Sequence, residues 1–388
     1  MAASPSTARV INDRLALRLL QDEGPLTAGQ LKSLTGLSRP TIADLVERLQ
    51  VSGLIGVVGE AGAQRRGPNA RVYGIVADRA HLAALDVRTQ GVSLVVADLL
   101  GHTLAEAALP IDAGTGAGPA VDAAVALLER TAADAGAFRL HTVAIGMPGL
   151  IDPGTGELRN SNLSGWHGSL VTALQDRLSA RIVLENETNL AAVAEQRAGA
   201  ARDRDTFAFL WLGVGVGAGL FLDGRLRRGA SGGAGEIGFL PVPGTGGLPS
   251  RADCAGGFHT LAGSAAICAL AEEHGLKVGE APAPAAAAVV AEAVAAGEDG
   301  FLDALAGRVA VGAAAVVSVL DPGCVVLGGE VGLAGGPELA SRVAARLVGL
   351  NPLSTEVRPG ELGGSAVVHG ALLTARDRAQ DQLFAPGA

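Results

Sequence analysis

The chain has 388 residues, a length that favours two or three packed units over a single domain. No uninterrupted apolar run reaches the roughly 18 residues that span a bilayer, and three scattered cysteines without a basic, then apolar, leader favour a reducing cytoplasm. The net charge of −9 is unevenly distributed: residues 1–78 carry nine Arg/Lys against seven Asp/Glu, a balance of +2, so the acidic total does not exclude nucleic-acid binding by that segment.

The first 36 residues predict two helices separated by a short break. The first covers residues 9–21 and has a broad apolar face of Ile11, Leu15, Leu17, Leu19 and Leu20. Thr27 and Gln30 fit a capping box that opens the second helix, and Gly36 ends it.

A third helix follows, with Ser38 as its cap and Pro40 in its first turn, where a missing N–H costs nothing. Two helices joined by a short glycine turn predict a helix-turn-helix, whose second helix reads DNA with its first residues. The expected DNA contacts on this helix are Ser38, Arg39, Pro40, Thr41 and Asp44. Asp44 would repel phosphate, so it is expected at a base edge or turned away from DNA.

Residues 54–58 and 70–76 read as two strands, and the turn between them is rich in glycine and arginine. We expect Arg65, Arg66 and Arg71 of this wing to contact phosphates or a minor groove. A capped helical hairpin can also be purely structural, but the arginine-rich wing beside it favours DNA binding.

Beyond residue 79 the chain alternates apolar strands with helices, as expected for layered α/β structure. The predicted strands are 81–87, 92–98, 142–146, 181–185, 207–212, 218–222 and 324–327. The predicted helices are 120–135, 168–178, 188–198, 260–274, 285–296 and 301–320.

Several short motifs occur in a fixed order along this second part. They are Asp86, Gly146-Met-Pro-Gly149, Asn162-Leu-Ser-Gly-Trp166, Glu185-Asn-Glu-Thr-Asn189, Leu212-Gly-Val-Gly-Val-Gly-Ala-Gly219, Ala234-Gly-Glu-Ile-Gly238 and Leu327-Gly-Gly329. With the N-terminal helices, this order resembles the ROK family of repressors and sugar kinases. The resemblance implies a winged helix-turn-helix over residues 1–78 and a two-lobed, actin-like (ribonuclease H-like) α/β domain over residues 79–388 that senses a ligand in its cleft.

The phosphate-binding loops depart from the kinase members of the family. Where those kinases have Asp-x-Gly-Gly-Thr, this chain has Asp86-Val-Arg-Thr-Gln90, so Arg88 and Thr89 replace glycines that let backbone N–H groups approach phosphates. Val214 stands where the second loop usually has a threonine. We therefore expect no ATP, no other cofactor and no kinase activity.

The resemblance also implies a sugar site, whose expected residues are Gly149, Asn162, Asn186, Glu187, Glu236 and His259. Glu187 takes the place of the aspartate that serves the kinases as general base, so the catalytic position is degenerate. Asn162 could instead be a turn residue, and His259 an ordinary loop histidine. Asn186, Glu187 and Glu236 are expected to face the ligand, because strand ends in open α/β sheets point into the ligand crevice.

The zinc ligands of the family are mostly replaced. Phe239 stands where the family has a histidine, and only Cys254 remains of the cysteine cluster. Cys254 and His259 supply at most two of the four ligands that a structural zinc needs, so we expect no metal.

These features predict a cytoplasmic transcriptional regulator, a repressor, that binds a double-stranded DNA operator as a homodimer or homotetramer and responds to a small carbohydrate-like effector. No membrane contact is expected. Two alternatives stay open: an active sugar kinase carrying a DNA-binding appendage, and a regulator whose cleft is vestigial.

Overall fold

A computed structural model describes residues 5–61, 70–88, 91–112, 114–159, 166–250, 254–279 and 282–384. The N-terminal part contains α1 (Pro5–Asp22), β1 (Leu26–Thr27), α2 (Ala28–Thr35), α3 (Arg39–Val51), β2 (Ile55–Ala61) and β3 (Ala70–Ile75). The strands form an antiparallel sheet in the order β1-β3-β2, so the wing is a hairpin packed beside three helices.

The core of this N-terminal part is smaller than the sequence pattern predicts. Leu17 and Leu20 of α1 are buried with Leu31 and Leu45, which face them from α2 and α3. Ile11 and Leu15 were expected on the same apolar face but are 55% and 40% exposed. The other helices cover only one side of α1, so the part of its apolar face that carries Ile11 and Leu15 stays open to solvent.

The first lobe is built on a five-stranded sheet in the order β6-β5-β4-β7-β8. Its strands are β4 (His81–Arg88), β5 (Gly91–Asp98), β6 (Thr103–Pro110), β7 (Leu140–Met147) and β8 (Arg181–Asn186), of which β4, β7 and β8 run parallel. Its helices are α4 (Ala117–Asp134), α5 (Trp166–Arg177) and α6 (Glu187–Ala198).

Side chains alternate between the two faces of this sheet. Ala83 and Leu85 of β4 pack with α4 and α5, while Leu82 and Ala84 point to the opposite face and join the core that contains α6. This period of two is the reason the central strand reads as a continuous apolar run, since both of its faces are covered.

The second lobe has a five-stranded sheet in the order β11-β10-β9-β12-β13. Its strands are β9 (Phe207–Leu212), β10 (Val216–Leu222), β11 (Arg225–Leu226), β12 (Cys324–Gly328) and β13 (Glu356–Pro359). The helices that follow in chain order are α7 (His259–Ala262), α8 (Ser264–Glu273), α9 (Pro282–Ala296), α10 (Asp299–Leu320), α11 (Gly329–Leu350) and α12 (Ala366–Leu383). The backbone of α11 is interrupted at Gly336, directly before Pro337.

Among the described helices, α10 is long and apolar enough to cross a membrane. Half of its most apolar stretch is buried inside the protein, where Leu305, Val309 and Val317 lie in the core of the second lobe. Its composition is therefore explained by packing against neighbouring helices.

The final helix, α12, returns from the second lobe to the first and packs on α6, β4 and β7. Glycines allow the close approach: a Cβ at Gly370 would lie 1.9 Å from the Leu190 carbonyl oxygen, and one at Gly146 would lie 2.7 Å from side-chain atoms of Leu190 and Val367. The first lobe is thus completed by the last helix of the chain.

A buried carboxylate fixes the segment that leads into α12. Glu195 of α6 is 1% exposed and accepts hydrogen bonds from the backbone N–H groups of Ala200, Glu361 and Leu362 at 2.7, 3.0 and 3.0 Å. These three N–H groups replace the hydrogen bonds from water that a carboxylate loses on burial. They also connect α6 to the chain beyond β13.

Candidate functional site

The N-terminal helices have the caps that the sequence predicts. The backbone N–H of Gln30 donates to Thr27 Oγ1 at 3.2 Å, and the Thr27 N–H donates to Gln30 Oε1 at 2.9 Å, which is a complete capping box. Gly36 has a φ of 70°, a left-handed conformation that glycine adopts without strain, and it turns the chain towards α3.

The start of α3 presents a polar surface. Ser38 Oγ accepts from the Thr41 N–H at 3.3 Å and lies 2.7 Å from Thr41 Oγ1. Ser38, Arg39 and Pro40 are exposed, and Thr41 is half-buried. This first turn can therefore approach another molecule without unfolding any part of the core.

Asp44, one turn further along α3, is exposed and forms a salt bridge with Arg48. Arg48 also pairs with Asp13 of α1 at 2.6 Å. The carboxylate of Asp44 is thereby directed along the helix towards a cation of its own chain. On the hairpin, Arg71 of β3 is exposed, while Arg65 and Arg66 lie outside the described residues.

The second candidate site is the cleft between the lobes, where the parallel strands of both sheets end. One cavity of about 560 Å³ is lined by Gly149, Asn186, Glu187 and Glu236, which places four of the predicted sugar-site residues together. Carboxyl ends of parallel strands generally form the ligand crevice of α/β folds, and a cavity of this size suits a small molecule.

Asn186 links the strand end to the helix behind it. Its Oδ1 accepts from the N–H groups of Thr188 and Asn189 and so caps α6, while its Nδ2 donates to the Gly149 carbonyl at 3.2 Å and to Glu187 Oε2 at 3.1 Å. Asn186 thus orients Glu187 as well as lining the cavity itself.

Glu185 supports this arrangement from below. Its carboxylate accepts hydrogen bonds from Asn189 Nδ2 at 2.9 Å and from the Asn186 backbone N–H at 3.1 Å. It also forms a salt bridge with Arg228 at 2.5 Å, although Glu185 itself is only 6% exposed. A buried charge held by a cation and two donors is a rigid support, because removing any partner leaves it uncompensated.

Glu187 has an altered proton affinity. Burial raises the pKa of its carboxyl to about 7, and the nearby carboxylates of Asp86 and Glu236 add to the rise while Arg88 opposes it. Near neutral pH this carboxyl is present in both forms, so it can donate a hydrogen bond to a ligand hydroxyl or accept one.

Glu236 reaches the cleft because of the glycine before it. Gly235 has a φ of 89° and packs so closely on β10 that a Cβ there would lie 1.8 Å from the Ala218 carbonyl oxygen. The Glu236 side chain is open to solvent within the concave cleft, and desolvation by the surrounding protein raises its pKa above the ordinary value. Its carboxylate faces the same cavity as Glu187.

The adjoining part of the cleft is a cavity of about 730 Å³ lined by Asp86, Arg88, Trp211 and Glu330. Arg88 Nε lies 3.1 and 3.0 Å from the two oxygens of Asp86, and its terminal nitrogen forms a salt bridge with Glu330. The guanidinium lies over the Trp211 ring, 5.1 Å from its centroid. This cation is therefore already shared by two carboxylates of its own chain.

Trp211 and Glu330 were not predicted as site residues. Trp211 is the penultimate residue of β9 and lines both cavities, and Glu330 follows the Gly328-Gly329 pair at the end of β12. Their positions directly at strand ends were a usable signal, since such residues tend to face the crevice. No local sequence pattern indicated that Glu330 pairs with Arg88.

The remaining predicted residues are placed differently. His259 begins α7 behind Gly238 and is not among the residues lining either cleft cavity. Asn162 lies outside the described residues. Of the described residues, no group of three or more His, Cys, Asp or Glu side chains could hold a metal ion.

Known proteins resemble this chain over most of its length. The model of the ROK family matches residues 83–378. The DNA-binding transcriptional dual regulator NagC of Escherichia coli (strain K12) is 26% identical over 269 residues, or 66% of this chain and 63% of that protein. The chain spans a little under two thirds of the length of the curated repressors it matches.

Two solved structures share the fold. A ROK family transcriptional regulator described as a homologue of the E. coli MLC protein superposes with a TM-score of 0.75 and 19% identity, over 97% of this chain and 98% of its own. A ROK family glucokinase from Streptomyces griseus, solved with glucose and AMPPNP, gives 0.63 at 26% identity over 77% of this chain and all of its own. The motifs, the two lobes and the match over residues 83–378 agree: this chain belongs to the ROK family.

Proposed function

We propose that this protein is a cytoplasmic, sequence-specific DNA-binding transcriptional regulator, acting as a repressor, whose cleft binds a small polyhydroxylated effector without phosphorylating it. The observation that carries the proposal is the contrast within the cleft. One cavity keeps Asn186, Glu187 and Glu236 for ligand hydroxyls, whereas Arg88, in the adjoining cavity, is already paired with Asp86 and Glu330.

DNA contact is assigned to the first turn of α3 and to the wing. Arg39 is exposed beside a helix start capped by Ser38, and Arg71 is exposed on β3. Arg65 and Arg66, between the two strands, are proposed phosphate contacts on the basis of sequence. Because Asp44 is paired with Arg48, its charge is partly offset and opposes DNA less than a free carboxylate would.

Effector recognition is assigned to hydrogen bonds from the Asn186 amide and from the carboxyls of Glu187 and Glu236. These groups converge on one cavity, and Gly149 leaves its backbone accessible there. The names of related proteins, among them a xylose repressor and an N-acetylglucosamine repressor, support a sugar as the class of effector. Asn162 remains a candidate contact on the basis of sequence, whereas His259, which lines neither cleft cavity, is not assigned one.

Phosphoryl transfer is excluded from the proposal because of charge. A nucleotide phosphate in the cavity at Arg88 would meet the carboxylates of Asp86 and Glu330, which are both already bound to the only guanidinium among the described residues that line it. To bind there, the phosphate would have to break these ion pairs, and its own contact with Arg88 would restore little of the lost interaction energy. No cofactor or metal is assigned.

An active sugar kinase is the second candidate, because Glu187, with a pKa of about 7, has the proton affinity that suits a general base at neutral pH. The S. griseus glucokinase shares the two-lobed fold. A kinase would require ATP to displace Glu330 or Asp86 from Arg88. A repressor that binds only an effector does not require this displacement.

The proposal is tested by selecting fragments of the source genome on the purified protein and measuring their affinity with and without simple sugars. A repressor with a sugar effector should enrich a pseudo-palindromic site, as expected for a homodimer or homotetramer, and one sugar should weaken the complex. Failure to enrich any fragment over random DNA would reject DNA recognition. Enrichment without a response to any sugar would leave the cleft vestigial.

A further inference from the structure

A third cavity, of about 610 Å³, lies at the edge of the first-lobe sheet opposite the cleft. The strands β4, β7 and β8 begin here, whereas their other ends reach the cleft. Its wall comes from four places: the turn after β3, the segment before β7, the start of β8 and the end of α12. We call this cavity the basal pocket.

The basal pocket is strongly cationic. Arg79, Arg139 and Arg181 line it, together with His81 and His141, and Asp78 is the one carboxylate among the described residues of its lining. All three arginines are exposed, and none of them forms a salt bridge with another described residue. Most described arginines of the lobes do pair with a carboxylate. Arg342 and Arg358, for example, each pair with two or more.

The three arginines act on one side chain. His141 is half-buried, with Nδ1 2.9 Å from Thr142 Oγ1. Burial lowers the pKa of its imidazole, and the positive charges of Arg79, Arg139 and Arg181 lower it further. Three segments distant in sequence thus concentrate positive potential at a single concave point.

We propose that the basal pocket binds a small phosphate-bearing anion. Guanidinium groups form paired hydrogen bonds with phosphate oxygens, and three of them without carboxylate partners match a multiply charged group better than a single chloride. The Ser179 hydroxyl adds a further donor. Phe138, which is 89% exposed, offers an apolar surface beside the cations for the remainder of the molecule.

A small molecule fits this location better than a nucleic-acid backbone does. The pocket is concave, and its volume lies within the roughly 300–1,000 Å³ of typical small-molecule sites. It forms at the base of the hairpin, beside the turn Ala77–Arg79 that joins β3 to β4, and not at α3 or the outer end of the wing. An anion held by Arg79 would therefore tie that connecting turn to the first-lobe sheet. This proposal does not depend on what the cleft binds.

The test uses inorganic pyrophosphate as the probe, with the full chain at constant ionic strength. We would measure binding by calorimetry for the wild type, for Arg139→Gln/Arg181→Gln, and for the control Arg225→Gln/Arg227→Gln, which removes two exposed arginines of the β10–β11 hairpin region in the second lobe. The basal variant should bind pyrophosphate at least about tenfold more weakly, because charge-assisted hydrogen bonds supply the affinity, and the control should match the wild type.

A second readout locates the site. The pKa of His141, followed by its imidazole NMR signals, should rise when pyrophosphate offsets the surrounding arginines, and this rise should be lost in the basal variant. Circular dichroism establishes that each variant is folded. Equal pyrophosphate affinity in the wild type and the folded basal variant, or an unchanged His141 pKa at saturating pyrophosphate, would overturn the proposal.

Discussion

Arg88 of β4 and Glu330 at the start of α11 form a salt bridge across the cleft, although 242 positions separate them in the chain. The contact joins one lobe to the other at the place where nucleotide phosphates would have to enter. Arg88 also holds Asp86 and covers Trp211, so its position is fixed by three neighbours at once. The proposed loss of kinase activity depends on this arrangement, whereas the proposed ligand binding depends on Asn186, Glu187 and Glu236 in the adjoining cavity.

The first prediction is that ATP does not bind tightly and sugars are not phosphorylated at kinase rates. Calorimetry with ATP and magnesium should give no high-affinity isotherm, since Asp86 and Glu330 repel phosphate. Glu330→Gln should raise ATP affinity at least about fivefold, because removing one repelling charge at about 4 Å in water-like surroundings is worth about 1 kcal/mol. Glu338→Gln, further along α11, is the control and should change nothing. Wild-type turnover near the usual kinase range of about 1–100 per second would refute this prediction.

The second prediction concerns DNA contact. Arg39→Ala should relax sequence preference and cost about 1–3 kcal/mol if Arg39 reads a guanine. Arg66→Ala should weaken binding to all sequences and flatten its dependence on salt, as expected of a phosphate contact. Gel-shift titrations at several salt concentrations measure both effects, with Arg225→Ala as a control outside the N-terminal part. Unchanged affinity in the Arg39→Ala/Arg66→Ala double variant would show that DNA binds elsewhere.

The third prediction links the cleft to DNA affinity. Glu236→Ala should leave operator binding by the free protein nearly intact but abolish its response to the effector, because the Glu236 carboxylate faces the proposed hydroxyl site. Ligand and DNA affinities must be coupled reciprocally, typically by about 1–3 kcal/mol. The measurement is operator affinity for both proteins with and without ligand. A normal response in the variant would place the sensor elsewhere, and loss of ligand-free DNA binding would make Glu236 structural.

The fourth prediction follows from the raised pKa of Glu187. A carboxyl whose pKa rises from 4.5 to about 7 on folding favours the native state below pH 4.5 and opposes it increasingly as the pH passes from 4.5 to 7. Glu187→Gln should therefore be about 1–3 kcal/mol more stable than the wild type at pH 8 and nearly equal to it at pH 4. Urea unfolding at the two pH values measures this. Glu361→Gln, an exposed control, should show no such pH-dependent gain.

Local sequence predicted the N-terminal helices well because their ends carry specific chemistry. The Thr27 capping box, the left-handed Gly36 and the Ser38 cap are all confirmed. Local sequence did not predict the strands β6 and β13 or the helices α11 and α12. In α11 the interruption at Gly336 and Pro337 divides the apolar pattern into two short pieces, and in α12 small residues replace the large ones that make a helical face recognisable.

The cleft was predictable only in part for a related reason. Asn186, Glu187 and Glu236 lie in short motifs, and they line one cavity together with Gly149. The environment of Arg88 depends on Trp211 of β9 and Glu330 at the start of α11, which both reach it from the second lobe. Such a pairing is created by tertiary folding, so no local pattern indicates it.

The return of α12 to the first lobe has a consequence during synthesis of the chain. The strands β4 and β7 are made early, but one face of their sheet stays without the Val367 and Ala371 side chains until the ribosome has passed residue 384. The first lobe therefore cannot acquire its complete core by the usual progression from the N-terminus, and it must wait for the second lobe to be translated. A chain released prematurely after β12 would lose native packing in the lobe made first, a long way from the point of truncation.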